Sequence, residues 1–201
     1  ISRNYPYKEN FTHVLGYVSQ ANEKDILSSD YIKTKFVPGL KVGKIGLEKS
    51  FEDQLIGTNS IERYEVNAYG RRISQLAFQK GNKGDTIKLT IDTEIQKLTN
   101  QLLAEKAGSI CVMDIFTGEI IAMHSSPSFD PNLFVFGIGQ DDWQLIRNNP
   151  MKPLVNKSLS GNYSPGSTIK PIVALSALEN GIINTNFTVK CTGKTEMYGQ
   201  T

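Results

Sequence analysis

The spacing of apolar and polar residues predicts that the first part of the chain is built mostly from strands. Short runs of strand-forming residues alternate with turns that are marked by glycine. These runs occupy residues 11–18, 63–68, 72–78 and 85–91. A helical pattern at residues 47–55 interrupts them, and Tyr69-Gly70 marks a turn between two of the runs. We therefore expect residues 1–88 to form a mainly β domain.

The clearest helical pattern begins just after residue 90. Asp92 has a side chain that can cap the N-terminus of a helix. Four apolar residues follow at positions i, i+3, i+7 and i+8, so they lie on one face of a helix. They are Ile95, Leu98, Leu102 and Leu103. The pattern ends at Gly108 and predicts an amphipathic helix near the start of a second domain, which we place at residue 89.

A hairpin and a second helix are predicted to follow. Residues 110–115 and 119–123 are apolar strands on either side of Thr117-Gly118, which is a turn signal. Residues 125–166 favour a loop, and residues 167–180 favour a helix that ends at the glycine after them. A helix, a hairpin and a helix in this order are typical of an α+β domain in which helices pack on an antiparallel sheet.

The net charge argues against nucleic-acid binding, and the sequence contains no apolar run long enough to span a membrane. The net charge is +2 over 201 residues, so there is no strongly basic surface. The longest apolar runs are far too short to cross a bilayer, and there is no signal peptide pattern. The chain starts at Ile1 and stops at Thr201 without a stop signal. We interpret it as a fragment, so a missing anchor here says nothing about the native protein.

The two cysteines give little chemical information. Cys111 lies in the apolar sequence Ser-Ile-Cys-Val-Met, and we interpret it as a small buried hydrophobic residue. Cys191 lies in a polar stretch. Because the two surroundings differ, the sequence does not favour a disulfide bond between them.

One Ser-x-x-Lys sequence, Ser167-Thr168-Ile169-Lys170, is the strongest candidate for chemistry. Tyr163-Ser164-Pro165-Gly166 predicts a turn directly before it. Ser167 would then lie at a helix N-terminus, where free N–H groups and the helix dipole favour negative charge. Lys170 would lie one turn further along on the same face. Pro171 has no N–H to bond the Ser167 carbonyl, which loosens the backbone at Ser167.

Ser167 and Lys170 have the chemistry of a nucleophile and its base. A serine hydroxyl is a weak nucleophile until a base takes its proton. A lysine in a water-poor pocket near other positive charges can act as that base. The backbone N–H of Ser167 can help to stabilise a tetrahedral oxyanion. A helix-capping serine beside a solvated lysine would show the same spacing, so spacing alone leaves both interpretations open.

A set of ordered motifs resembles the class B penicillin-binding proteins over nearly the whole chain. The motifs of the first part are Asn4-Tyr5-Pro6-Tyr7, Thr12-His13-Val14-Leu15-Gly16-Tyr17-Val18, Gly43-Lys44-Ile45-Gly46-Leu47-Glu48 and Glu65-Val66-Asn67-Ala68-Tyr69-Gly70-Arg71. Those of the second part are Thr90-Ile91-Asp92, Ile95-Gln96, Thr117-Gly118-Glu119-Ile120, Pro127-Ser128-Phe129-Asp130-Pro131-Asn132-Leu133-Phe134, Asn156-Lys157 and Ser164-Pro165-Gly166-Ser167-Thr168-Ile169-Lys170-Pro171. Together, in this order, these motifs are very specific.

The resemblance implies a two-part α+β fold and a serine enzyme. The first part, residues 1–88, would be a mostly β, non-catalytic pedestal of the dimerisation type. The second, residues 89–201, would be the truncated start of a transpeptidase domain similar to serine β-lactamases. Ser167 would be the nucleophile and Lys170 its base in a peptidoglycan D,D-transpeptidase. Glu65 and Arg71 resemble pedestal residues that brace the interface between the domains.

The resemblance also implies ligands, partners and a location. The substrates would be peptidoglycan stem peptides that end in D-Ala-D-Ala, and β-lactam antibiotics would acylate the same serine. That chemistry needs no cofactor. The implied partner is a membrane glycosyltransferase of the cell-elongation machinery, and no nucleic acid is expected. The implied location is the periplasmic face of the inner membrane, with the anchor absent from this sequence.

Two further family motifs, S-x-N and K-T-G, are not found after Ser167. Ser2-Arg3-Asn4 and Ser160-Gly161-Asn162 have the S-x-N form but precede it, and residues 193–195 are Gly-Lys-Thr rather than Lys-Thr-Gly. We therefore expect this chain alone to be inactive or very slow. The alternatives are a catalytically incomplete scaffold, a penicillin sensor or a serine β-lactamase, and the resemblance to a pedestal argues against the last.

Other reactive side chains are interpreted as structural. His13 and His124 lie in strand patterns without the partners of a catalytic triad, so packing or a surface role is favoured for both. Trp143 is interpreted as an anchor of a loop or helix. Cys191 lies where some members of the resembling family have a metal-binding Cys/His cluster. A single ligand does not make a zinc site, so Cys191 is only a candidate.

Overall fold

The computed structural model describes residues 3–190 and residue 193, and the chain forms two compact units. The first unit is Ile1–Gly161 and the second is Asn162–Thr201. The predicted domain boundary between residues 88 and 89 falls inside the first unit and stays a prediction. Among the described residues, no helix combines the length and apolar composition needed to cross a bilayer.

The first unit contains short helices and three two-stranded antiparallel sheets. Its helices are α1 (Thr12–Leu15), α2 (Glu23–Ser28), α3 (Asp30–Lys35), α4 (Gly46–Ser50), α5 (Glu52–Leu55), α6 (Thr93–Leu102), α7 (Asn132–Val135), α8 (Gln140–Asn148) and α9 (Lys157–Ser160). Its strands are β1 (Val18–Gln20), β2 (Lys41–Gly43), β3 (Ile61–Val66), β4 (Arg72–Gln79), β5 (Gly108–Met113) and β6 (Ile120–Ser126). The strands pair as β1 with β2, β3 with β4 and β5 with β6. This mixture confirms the predicted α+β class.

The strand predicted at residues 11–18 is wrong for most of its length. Helix α1 occupies the centre of this run, and β1 begins only at Val18. The Leu15 N–H donates to the Phe11 carbonyl at 2.8 Å and the Gly16 N–H to the Thr12 carbonyl at 2.7 Å, which are bonds of a helical turn. Gly16 then ends the helix with a φ of +77°, and a Cβ there would lie 1.8 Å from the Ile45 carbonyl oxygen. Close approach of two backbones therefore requires glycine at this position.

Two other sequence predictions are corrected by contacts that are distant in the chain. Residues 85–91 form no strand. They are held instead by isolated hydrogen bonds to two different segments: the Asp85 N–H donates to the Gln54 carbonyl at 2.8 Å, and the Thr90 hydroxyl donates to the Ile120 carbonyl at 2.7 Å. The loop predicted at residues 125–166 contains α7, α8 and α9. Trp143 on α8 packs edge-to-face against Phe134 on α7, which agrees with its interpretation as an anchor.

The hairpin of β3 and β4 confirms the turn predicted at Tyr69-Gly70. The Asn67 side-chain oxygen accepts hydrogen bonds from the N–H groups of Tyr69 and Arg71, at 3.0 and 2.9 Å. Glu65 accepts a hydrogen bond from the Ser74 hydroxyl across the two strands. Glu65 and Arg71 are both exposed, so their role in bracing a domain interface stays a prediction.

Strands β5 and β6 form the predicted hairpin, but Cys111 is exposed rather than buried. Cys111 alternates along β5 with Ser109 and Met113, which are also exposed. Because alternate residues of a strand point to opposite faces, these three share one face of the two-stranded sheet. In the described part of the chain nothing covers that face enough to bury them.

Helix α6 begins after the predicted cap but buries a polar face. The Asp92 carboxylate accepts from the N–H groups of Glu94 and Ile95, both at 2.9 Å. Gln96 and Thr99 are buried, with 0% and 3% of their surface exposed, whereas Leu98 of the apolar stripe is 49% exposed. Hydrogen bonds, and not hydrophobicity, therefore determine which face of α6 packs against the rest of the unit.

The Gln96 side chain joins three parts of the first unit. Its amide nitrogen donates to the carbonyls of Asn10, at 2.7 Å, and Met123, at 2.9 Å. Its amide oxygen accepts from the Met123 N–H at 2.9 Å. The Gln96 amide thus bonds both main-chain groups of Met123, as a neighbouring strand would, and it also binds the N-terminal segment through Asn10.

The N-terminal segment is held to the later part of the unit by further hydrogen bonds. Asn132 exchanges two with the backbone of Tyr5, at 2.9 and 3.0 Å. The buried Thr12 hydroxyl donates to the Phe129 carbonyl at 2.6 Å. A small apolar cluster of Tyr5, Val18 and Val135 lies beside these contacts.

The second unit contains α10 (Lys170–Glu179), preceded by a 3₁₀ turn at Gly166–Ile169. The predicted end of this helix is confirmed. Gly181 has a φ of +67° and donates to the Leu178 carbonyl at 3.1 Å, while Ile182 donates to the Ala177 carbonyl at 2.9 Å. These two bonds form a Schellman motif, which satisfies the last carbonyl groups of the helix.

We predict that replacing Gln96 by leucine weakens the first unit strongly. Leucine has a similar size, but it would leave two buried carbonyls and one N–H without partners. The free energy of unfolding should fall by about 3 kcal/mol. Gln101→Leu, at an exposed position of the same helix, should change it by less than about 0.5 kcal/mol. Urea denaturation of both variants measures the difference, and equal effects would contradict the role of Gln96.

Candidate active site

Ser167 lies in a 3₁₀ turn rather than at the first residue of the α-helix. The turn spans Gly166–Ile169, and Lys170 begins α10. The Lys170 N–H donates to the Ser167 carbonyl, as a 3₁₀ hydrogen bond. An α-helical bond would need the N–H of residue 171, which is proline and has none. Pro171 therefore does not loosen the backbone at Ser167 in the way that the sequence predicted, because the Ser167 carbonyl keeps a hydrogen bond in a turn tighter than the α-helix.

The two residues before Ser167 shape the turn. Gly166 has a φ of +56°, which residues with a side chain rarely adopt. Pro165 precedes it, and its carbonyl accepts from the Thr168 N–H at 3.2 Å and also from the Thr168 hydroxyl. The Thr168 hydroxyl proton is therefore engaged within the turn. Of the two neighbouring hydroxyl groups, Ser167 is the better candidate nucleophile.

The 3₁₀ geometry brings Ser167 and Lys170 to one side of the chain. Residues i and i+3 eclipse each other in a turn with three residues per repeat. Both residues are exposed in the described part of the second unit. The sequence predicted a shared face on an α-helix, whereas the turn found here is tighter, and the roles of the two residues stay predictions. From these positions the Ser167 hydroxyl can pass its proton to the Lys170 amine when the two side chains come within hydrogen-bond distance.

Helix α10 presents apolar side chains on most of its surface. Ile172, Val173 and Leu175 are 62%, 58% and 65% exposed, and none of the residues of the helix is buried. A helix that is apolar all round is typical of a position inside a larger core. Lys170 thus lies at the start of a helix that is suited to a water-poor environment.

No metal centre is found among the described residues. Within residues 3–190 and residue 193, no group of three or more His, Cys, Asp or Glu side chains is placed to hold an ion. The candidate ligand Cys191 lies outside the described residues. The assignment of Cys191 to a metal site therefore stays a prediction.

Both histidines are buried in the first unit, at 5% exposure for His13 and 2% for His124. Neither ring nitrogen of His13 has a hydrogen-bond partner among the described residues, and Nε2 of His124 also has none. The Pro127 and Pro153 carbonyls lie near the His13 ring without completing a hydrogen bond to it. The edge of the His13 ring packs against Phe129, at 5.8 Å between ring centroids. Packing therefore describes both residues better than catalysis.

Burial first, and then the nearby charges of Lys157 and His124, lower the pKa of His13 to about 4. The pKa of His124 is also lowered by burial, with Glu9 acting in the opposite direction. Burial lowers the pKa of Lys157, whose residue is 8% exposed. Three basic groups therefore lie close together where their charged forms are disfavoured.

Asn156 and Lys157 form one of the sequence motifs, but no individual role was predicted for either residue. Asn156 caps α9, and its side-chain amide also donates to the His13 carbonyl at 3.0 Å. The Lys157 N–H donates to the buried Ser125 hydroxyl at 2.9 Å. A four-residue helix has too little periodicity to be detected from the sequence. The asparagine before it was the available capping signal.

A cavity of about 720 Å³ lies within the first unit, and neither histidine lines it. Its lining includes the charged residues Arg3, Lys41, Glu48 and Glu52, together with residues 58–60 and 81–86. Arg3 forms an ion pair with Glu48 at 3.0 Å, and burial raises the pKa of Glu52. The charged residues at this cavity are thus partly paired with one another.

Two family models match consecutive parts of the chain. Residues 1–89 match the penicillin-binding protein dimerisation domain, and residues 108–201 match the penicillin-binding protein transpeptidase domain. Peptidoglycan D,D-transpeptidase MrdA of Escherichia coli K12 is 43% identical over 189 residues, which is 93% of this chain and 30% of that protein. The Acinetobacter baumannii MrdA is 41% identical over 92% of this chain and 27% of its own length. The chain thus spans about a third or less of these relatives.

Two solved structures resemble this chain closely. Pseudomonas aeruginosa PBP2 in complex with WCK 5153 has a TM-score of 0.81 and 34% identity, covering 98% of this chain and 39% of that one. The complex between PBP2 and MreC from Helicobacter pylori has a TM-score of 0.77 and 34% identity, covering 94% of this chain and 34% of that one. Sequence and fold therefore point to the same family.

We predict that the first unit loses stability in acid because of His13. The usual pKa near 6.5 applies in the unfolded chain, so the unfolded state binds more protons than the folded state between pH 6.5 and about 4. Stability that is present above pH 6.5 should therefore fall as the pH drops to about 4, by up to about 3 kcal/mol. His13→Phe removes the titrating group but keeps the ring.

Urea denaturation of the wild type and of His13→Phe at several pH values measures this effect. The pH dependence of the variant should be flatter by the stated amount, whatever its stability at neutral pH. Parallel curves for the two proteins would contradict the assignment to His13.

Proposed function

This chain belongs to the penicillin-binding proteins that carry a dimerisation domain before a transpeptidase domain, and we propose that it provides the nucleophile and base of a peptidoglycan D,D-transpeptidase. The proposal assigns residues 1–88 to a non-catalytic pedestal and residues 89–201 to the start of the transpeptidase domain. The observation that carries it is the 3₁₀ turn with Ser167 and Lys170 on one side, inside the region that matches the transpeptidase family.

In the proposed reaction, Lys170 accepts the Ser167 hydroxyl proton as the oxygen attacks the carbonyl carbon of the penultimate D-Ala. A tetrahedral oxyanion forms, and the Ser167 N–H contributes to its stabilisation. The C–N bond to the last D-Ala then breaks, and the leaving amine takes up the proton that Lys170 had accepted, which returns Lys170 to its neutral form. An amine of a neighbouring stem peptide attacks the resulting ester, which forms the crosslink and returns the proton to Ser167. No cofactor takes part in these steps.

The turn suits this chemistry in two ways. The Ser167 carbonyl is bonded within the 3₁₀ turn, so Ser167 precedes the regular helix, and its side chain is exposed. The Thr168 hydroxyl is occupied by the Pro165 carbonyl, which leaves Ser167 as the free hydroxyl beside Lys170. The activity is proposed for the native protein, and this chain alone should react slowly because its sequence holds no Lys-Thr-Gly motif.

The same serine is the proposed target of β-lactam antibiotics, because they carry a reactive amide in place of the D-Ala-D-Ala bond. We also propose protein partners from the cell-elongation machinery, with a membrane glycosyltransferase among them. The complex between PBP2 and MreC from Helicobacter pylori supports a protein partner, because it shows a similar chain bound to another protein. Since the substrate belongs to the cell wall, the proposed location is the periplasmic face of the inner membrane.

We predict that a fluorescent penicillin labels the native protein at Ser167 and that Ser167→Ala abolishes the label. Ser164→Ala, three residues earlier at another exposed hydroxyl, should label like the wild type. Intact-mass measurement followed by peptide mapping locates the adduct. An adduct on any residue other than Ser167 would end the assignment of the nucleophile.

We predict that Lys170→Arg slows acylation by roughly 10²–10⁴-fold, the usual scale for the loss of a positioned base. Arginine keeps the positive charge but does not release its proton near neutral pH, so it cannot act as the base. Lys190→Arg, at an exposed position of the second unit, provides the matched control and should not alter the rate. Stopped-flow acylation kinetics measure both, and a Lys170→Arg rate within a few-fold of the wild type would exclude the base role.

A further inference from the structure

The first unit contains a group of buried polar atoms that lack hydrogen-bond partners. They are both ring nitrogens of His13, Nε2 of His124 and Oγ of Ser128, and within residues 3–190 and residue 193 no other buried side-chain nitrogen or oxygen is unpartnered. The two histidines are 5% and 2% exposed, so protein surrounds their rings. Buried polar atoms in folded proteins are nearly always hydrogen-bonded, to protein or to ordered water. This group of exceptions therefore points to a ligand.

The three residues come from segments that meet around one point. His13 lies on α1 and His124 on β6, and the rings are close enough for the charge of His124 to lower the pKa of His13. Ser128 follows Pro127, whose carbonyl lies near the His13 ring. It precedes Phe129, whose ring packs against His13 at 5.8 Å between centroids. The unpartnered atoms are thus neighbours in space and not separate packing defects.

The main chains of both histidines are held by hydrogen bonds that leave the rings unpartnered. The Asn156 side-chain amide donates to the His13 carbonyl at 3.0 Å. The Ser158 hydroxyl donates to the His124 carbonyl at 3.1 Å. Because both carbonyls are bonded in this way, neither ring can reach a distant partner through a backbone movement that keeps these bonds. A molecule that satisfies the rings has to come to them.

Charged ligands do not suit this place. An anion would need a protonated imidazole, but burial lowers the pKa of both histidines, that of His13 to about 4. A cation would meet the positive charge of Lys157, which is 8% exposed and already lowers the pKa of His13. Glu9 is the carboxylate whose charge acts on His124, and no set of three His, Cys, Asp or Glu side chains among the described residues is placed to hold a metal ion. The ligand is therefore small and neutral.

Water matches the hydrogen-bonding capacity of these atoms. A neutral imidazole has one N–H and one bare nitrogen, and a hydroxyl both donates and accepts. A water molecule can donate to a bare ring nitrogen and accept from an N–H or from the Ser128 hydroxyl. Buried waters typically make about three hydrogen bonds to groups that would otherwise have no partner.

We propose that His13, His124 and Ser128 form an internal water site, in which bound water bridges the two imidazole rings and the Ser128 hydroxyl. The water joins α1, strand β6 and the segment after β6 at a point where no direct side-chain hydrogen bond does so. The site lies wholly within the first unit and is independent of the proposed function.

A high-resolution crystal structure of the native wild-type protein tests the site directly. We expect solvent density at about 2.7–3.2 Å from ring nitrogens of both histidines and from the Ser128 hydroxyl, the usual range of hydrogen bonds. Neutron diffraction after exchange into D₂O would show which ring nitrogen donates to the water and which accepts from it. Neither measurement depends on the folding of a variant.

His13→Phe tests the same site in solution. Phenylalanine keeps a ring but has no nitrogen, so it removes two of the polar atoms that hold the water. Relaxation dispersion of the water ¹⁷O signal counts the long-lived internal waters of a protein, and the variant should hold one fewer than the wild type. Ser109→Ala, which removes an exposed hydroxyl on the neighbouring strand β5, should leave the count unchanged.

Three results would overturn the proposal. One is a wild-type structure without solvent density between the two rings. Another is an atom with an anomalous signal at about 2.0–2.2 Å from the ring nitrogens, which would be a metal ion and not water. The third is an equal number of long-lived waters in the wild type and in folded His13→Phe. None of these readouts involves acylation, so failure of the proposed function would leave them unchanged.

Discussion

The first unit depends on side-chain amides and hydroxyls that bond to main-chain groups far away in the sequence. Gln96, Asn132, Asn156 and Thr12 join the N-terminal segment to residues 90–160 in this way, over separations of 86 to 143 positions. The apolar cluster beside them is small. Each of these polar groups would be costly to bury without a partner, so the contacts specify one arrangement of the segments. The order of the unit therefore comes more from satisfied polar groups than from a large core.

A single proline has a comparable effect on the reactive turn. Because Pro171 lacks an N–H, the Ser167 carbonyl takes its hydrogen bond from Lys170, and the first turn tightens from α to 3₁₀. The tighter turn brings positions i and i+3 to one side, as the proposed roles of nucleophile and base require. Gly166 permits the backbone conformation that leads into this turn. Ser167 and Lys170 thus owe their arrangement to the residues on either side of the motif.

The sequence was informative where local signals were sufficient. Asp92 and the spacing after it located α6, and Thr117-Gly118 located the hairpin. The helix predicted at residues 167–180 was also found, although its α-helical part begins only at Lys170. The buried face of α6 could not be predicted, because Gln96 is selected by partners at Asn10 and Met123 that no local pattern shows. Helix α1 and helix α9 were missed for the same reason. Both are four residues long and are held by distant contacts, not by their own periodicity.

At the proposed site, a neutral lysine and an apolar helix are both favoured by surroundings from which water is excluded. A lysine accepts a proton only in its neutral form, which is favoured where water is excluded. Helix α10 begins with Lys170 and continues with exposed Ile172, Val173 and Leu175, whose burial would be favourable by roughly 1.5–3 kcal/mol each. Covering these side chains would remove water from the same end of the helix. Under the proposed roles of Ser167 and Lys170, packing of α10 would therefore also favour activation of the serine, since apolar contact provides the free energy that excludes water from the lysine.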